Sequence, residues 1–94
     1  MRVKLAANEV DHNYRVENAI AEQLKEGHSA EISLPSIEAY QVLDMEDGGV
    51  IKPAIREDRL NQIVAVIRER FDLREVEYQI AGDDVQFRQG RLPR

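Results

Sequence analysis

Residues 57–89, EDRLNQIVAVIRERFDLREVEYQIAGDDVQFRQ, change hydrophobic period once, near Asp72, and that change sets the fold class. Before it, Leu60, Ile63, Val64, Ile67 and Phe71 recur at helical spacing and trace one apolar face. After it, Val76, Tyr78 and Ile80 alternate with Glu75, Glu77 and Gln79, the period of a strand with one wet face. Ala81-Gly82-Asp83-Asp84 reads as a turn, and Val85, Phe87 and Gln89 then alternate with Gln86 and Arg88. The two runs predict a C-terminal hairpin. Upstream, Pro53 suits the first turn of the helix, with Glu57 and Asp58 early and Arg68 and Arg70 late, as the helix dipole favours.

The N-terminal half repeats the theme. Val3, Leu5 and Ala7 alternate with Arg2, Lys4 and Ala6 and predict a short opening strand. Asn8 to Asn13 is polar and offers Asp11 and Asn13 as caps for a helix from about Asn13 to Glu26, whose apolar stripe is Val16, Ala19, Ile20 and Leu24. Gly27 stands where helices commonly stop. Ala30, Ile32 and Leu34 predict a second strand, interrupted at Pro35-Ser36. In segment 37–45 the apolar residues spread around a helical wheel, whereas Ile37, Ala39, Leu43 and Met45 share one face of a strand. Strand is the better reading, with a short helix capped by Ser36 as the alternative. Glu46-Asp47-Gly48-Gly49 predicts a turn, after which Val50-Ile51-Lys52 returns to pair with residues 40–45.

Strands with one wet face and helices with one apolar face predict a single α+β domain spanning residues 1–94. It is a two-layer sandwich, a mostly antiparallel sheet with two helices on one face. A ferredoxin-like arrangement with an added C-terminal hairpin strand is the leading topology. Aromatic residues are few, so the core must be aliphatic.

Several chemistries are unsupported. Without cysteine there is no disulfide, no thiolate nucleophile and no cysteine-based metal site. No apolar stretch approaches the roughly 18–20 residues that span a membrane, and the apolar start is broken at Glu9 and Asp11, too early for a signal peptide. A cytoplasmic protein with no membrane partner is expected. Residues 1–47 carry 4 basic and 10 acidic side chains, residues 48–94 carry 9 and 8, so the N-terminal half is acidic. That field repels phosphates, and nucleic acid is not expected as a partner. Arg88, Arg91 and Arg94 in the tail read as a solvated terminus.

The candidate motifs fail on spacing. Asp44 to Gly48 places glycine fifth and Ile55 twelfth, where a calcium loop needs glycine sixth and glutamate twelfth. Gly48-Gly49 leads to Lys52-Pro53, and proline removes a donor where a phosphate loop needs one. His12 and His28 flank the first helix at opposite ends and cannot share a site. Glu75 and Glu77 lie on a wet face, Asp83 and Asp84 in a turn, and Ser29, Ser33 and Ser36 lack a base in any nucleophile motif. Tyr40 and Tyr78 read as sheet packing. No catalytic residue, cofactor or metal is expected.

The expectation is a non-enzymatic protein-interaction module, such as a small inhibitor, immunity protein, adaptor or assembly factor. It would present Glu17, Glu22, Glu26 and Glu31 to a partner protein with a basic surface. A homodimer through the C-terminal strand at Val85, Phe87 and Gln89 is expected, on the ground that a terminal strand readily lies at a sheet edge. The alternative is a small-molecule-binding or catalytic domain with its pocket between sheet and helices or across a dimer interface.

Overall fold

The computed structural model describes residues 7–48 and 50–89, with side chains described from His12 onward except that of Met45. Its elements run α1 (Ala7–Lys25), β1 (Ala30–Ser33), α2 (Leu34–Glu38), β2 (Leu43–Asp44), a 3-10 turn (Met45–Asp47), β3 (Val50–Ile51), α3 (Arg56–Arg70), β4 (Val76–Ala81) and β5 (Asp84–Gln89). The fold is α+β. β1, β5 and β4 form an antiparallel sheet in that order, and β2 and β3 form a separate two-stranded ribbon.

Periodicity places the sheet's inner face. Ala30 pairs with Phe87, which pairs with Tyr78, and Ile32 pairs with Val85. These side chains turn toward α1 and α3, where Val16, Ile20, Leu24, Leu60, Ile63 and Ile67 close one connected core. The residues between them, Glu31, Gln86, Glu77 and Gln79, form the outer face. α1 packs on β1 and β5, and α3 packs on β4.

The predicted stop of α1 at Gly27 holds, and local chemistry also caps α3. Gly27 takes φ +84°, and the N–H groups of Gly27 and His28 donate to the carbonyls of Leu24 and Gln23, the paired bonds of a Schellman stop. At the head of α3, the Asp58 carboxylate accepts from the Ile55 N–H at 3.1 Å.

Five expectations change. α1 begins at Ala7, so Asp11 and Asn13 lie inside the helix rather than capping it; residues 3–6 of the expected opening strand, like Arg91 and Arg94, lie outside the described residues. The ferredoxin-like arrangement depended on that strand. Segment 37–45 is not one strand: a five-residue helix, α2, precedes a two-residue β2. Ser33 rather than Ser36 caps α2, accepting from the Ser36 N–H, and Pro35 sits in the first turn, where no backbone donor is needed. α3 starts three residues after Pro53, so the proline precedes the helix. Ile80 is 50 % exposed near the hairpin end, not core.

Candidate functional site

The four acids expected to form one partner surface are dispersed by the fold. Glu22 on α1 and Glu26, in the turn just past its last residue, are both exposed and four residues apart. Glu31 lies on the outer face of β1, so it is exposed on the opposite side of the sandwich from the helix layer. Glu17 is not on the surface: it is 4 % exposed, because the helical stripe Asn13, Val16, Glu17, Ile20, Ala21 and Leu24 faces inward. The expected dimer contact is overturned as well. Val85 and Phe87 are fully buried, and β5 is the central strand, bonded to β1 on one side and β4 on the other. Its residues 84–87 are paired on both sides, and the last two, Arg88 and Gln89, are exposed.

Glu17 instead anchors an internal polar cluster. The Tyr40 hydroxyl donates to its Oε2 at 2.6 Å, and Arg70 Nη1 donates to its Oε1 at 2.6 Å. Gln62 Nε2 reaches the Tyr40 hydroxyl at 3.5 Å, and Arg59 donates to the Tyr40 carbonyl. A second clamp lies a turn earlier. Asn13 and the backbone of Gln41 exchange two bonds of 2.9 Å, and His12 Nε2 donates to the Ser36 carbonyl at 2.9 Å. These bonds fasten α1 to α2 and the loop that follows it, and to the end of α3. Tyr40 is therefore a buried loop residue held by hydrogen bonds, not part of a sheet, and His12 is a helix residue rather than a loop residue.

The chemistry of this cluster is retentive. Burial first, then the hydrogen bond to Glu17 and its negative charge, push the Tyr40 hydroxyl above the ordinary tyrosine value near 10. A hydroxyl held protonated and pointed at a buried carboxylate is neither a nucleophile nor a base. Because the folded chain keeps this proton and the unfolded chain releases it near pH 10, the stabilisation is complete below that pH and declines as pH rises above it. Tyr40→Phe should cost about 1.5–3 kcal/mol at neutral pH, the worth of a hydrogen bond to a charged group. Denaturant melts above pH 10 should then show a shallower alkaline decline in the variant than in the parent. Identical slopes would mean the hydroxyl is not held this way.

A solvent-facing groove runs along α3. Asn61, Val64, Ala65 and Arg68, a continuous helical stripe, form one wall, and Val76, Glu77 and Tyr78 of β4 form the other. Consecutive strand residues point to opposite faces, so a depression touching all three runs along the strand's edge, not over a face. Past Ala65 and Arg68 it continues between Glu69, Asp72 and Glu75. Asp72, at φ +57°, makes the left-handed turn that lets the chain double back here, a conformation Asp tolerates better than most residues. Sequence reading missed this stripe because Asn61, Val64, Ala65 and Arg68 interleave with the buried Leu60, Ile63 and Ile67.

Among the described residues, no group of three or more His, Cys, Asp or Glu is placed to hold a metal, and no helix is long and apolar enough to cross a membrane. No protein-family model, curated protein or solved structure matches the chain.

Proposed function

We propose that this chain is a non-enzymatic protein-interaction module whose partner presents a basic surface, working in a reducing cytoplasm to which a cysteine-free chain is suited. The observation carrying this reading is the division of its polar groups. The buried ionisable residues, Glu17 and Tyr40, are consumed in joining helices to one another, while the open feature is a strand edge flanked by a helix. Catalysis by side chains favours a reactive group desolvated in a recess, whereas Tyr40 and Glu17 face each other and the charged groups bordering the groove are exposed. A strand edge that pairs with no other strand among the described residues, lying beside a groove, favours recognition of another chain. Acids remain at the surface for such a partner: Glu22 on α1 and Glu26 in the turn after it, and Glu69, Asp72, Glu75 and Glu77 around the groove. The homodimer through β5 is not carried forward.

The tagged chain should retain a stoichiometric protein partner from its host, with an association rate that falls as salt is raised. Glu22→Lys with Glu26→Lys should slow association further while changing folding stability by less than about 1 kcal/mol, since exposed charges contribute little to folding. A metabolite or metal that raises the melting temperature, with no protein retained, would favour the small-molecule alternative and defeat this reading.

A further inference from the structure

The groove between α3 and β4 has the length, edge chemistry and charge to receive one more strand. β4 is bonded to β5 on one side, and among the described residues no strand pairs with its other side. Natural edges are usually blunted by proline, lysine, a bulge or brevity. β4, Val-Glu-Tyr-Gln-Ile-Ala, has no proline or lysine and runs six residues, whereas β2 and β3 run two each. From Asn61 to Glu69 the helical wall spans about 12 Å at 1.5 Å per residue, which matches roughly three to four residues of extended chain.

We propose that this groove binds an extended peptide segment of a partner protein, carrying alternating apolar and basic side chains, which adds to β4 as a further strand of the sheet. The proposal rests on the interaction-module reading and names the class of its partner. Backbone groups of β4 would supply the ladder. Val64 and Tyr78, with the small Ala65 leaving room between them, would receive the apolar side chains. Charge selects the rest: Glu69, Asp72, Glu75 and Glu77 border the groove against Arg68 and Arg74, an excess of two carboxylates. The same excess argues against a second copy of this chain, which would set these acids against themselves, and against nucleic acid, whose phosphates it repels.

The test uses the full chain and a labelled, end-blocked heptapeptide of alternating lysine and valine, followed by fluorescence anisotropy and backbone amide NMR. Saturable one-to-one binding should weaken with salt, shift resonances of 61–69 and 76–81, and slow exchange of the amides on the open edge of β4. A peptide of alternating glutamate and valine should not bind. Ala65→Arg fills the groove from an exposed helical position at little cost to the fold, and should weaken binding at least about tenfold with an unchanged melting temperature. Glu69→Lys with Glu77→Lys should weaken it several-fold and flatten its salt dependence. Equal binding by the Ala65→Arg variant overturns the proposal, as does a dimer in light scattering that this substitution dissociates. If the peptide fails to bind while a retained partner is released by Glu22→Lys and Glu26→Lys but not by Ala65→Arg, the groove is refuted and the module reading stands. If neither peptide nor partner binds, both fall.

Discussion

Phe87→Ala is expected to lower the unfolding free energy by about 3–5 kcal/mol, and by the same amount at low and high protein concentration. Phe87 is fully buried in the middle of β5, opposite Ala30 on one side and Tyr78 on the other, with the Tyr78 ring centroid 6.1 Å away in a tilted arrangement. It is the fully buried aromatic of an inner face whose other members are aliphatic apart from half-buried Tyr78, so its ring volume is not readily replaced. The lost transfer energy therefore combines with a cavity beneath α1. Concentration independence is the sharper half of the test. A residue at a dimer contact would be destabilised in proportion to lost association, and its melt would move with concentration. A loss below about 1 kcal/mol, within the range of ordinary surface substitutions and mild ones, would remove Phe87 from the core.

The contrast between Phe87 as a dimer contact and Phe87 as the middle of the sheet shows what sequence alone conveys. Alternation from Val76 to Gln89 identifies two strands and a hairpin, because each side chain's face is a local property. Strand order is not local. Whether β5 is an edge depends on Ala30–Ser33 arriving more than fifty residues away in sequence, and no period records that. Short elements fail for another reason: the five residues of α2 span little more than one turn, too few to separate a period of 3.6 from a period of 2. Its legible signals were chemical, the Ser33 cap and Pro35 in the first turn. At the start of α1, polar Asn8–Asn13 reads as loop, yet His12 and Asn13 are drawn into helix by bonds to the Ser36 carbonyl and to Gln41, tertiary contacts that outweigh local propensity. The inward position of Glu17 was readable in principle, since residues 13, 16, 17, 20, 21 and 24 fall on one helical stripe. Its partners, Tyr40 and Arg70, were not, at 23 and 53 residues' separation.

Those partners govern the second large effect, Arg70→Met, expected to cost about 3 kcal/mol, the low end of the range for stripping a buried charge of its counter-ion. The low end applies because the Arg70 side chain is 43 % exposed, so water can reach part of the space it leaves. Methionine keeps the apolar stem, which limits the packing loss, although the guanidinium's position 5.1 Å over the Tyr14 ring is given up too. What remains is a Glu17 carboxylate, 4 % exposed, facing the Tyr40 hydroxyl alone. The cost should be strongly non-additive. Adding Glu17→Leu removes the stranded charge and should recover much of the loss, leaving about 1–3 kcal/mol for the Tyr40 hydroxyl that now lacks an acceptor. Adding Tyr40→Phe as well removes that last unsatisfied group, and the triple variant should approach the parent, as buried ionic groups replaced by apolar ones of similar size often do. Denaturant melts of the single, double and triple variants give the whole series. A loss below about 0.5 kcal/mol for Arg70→Met alone would place the pair among ordinary surface bridges, and the clamp between α1 and α3 would then rest on the apolar contacts of Ile20, Ile63 and Ile67.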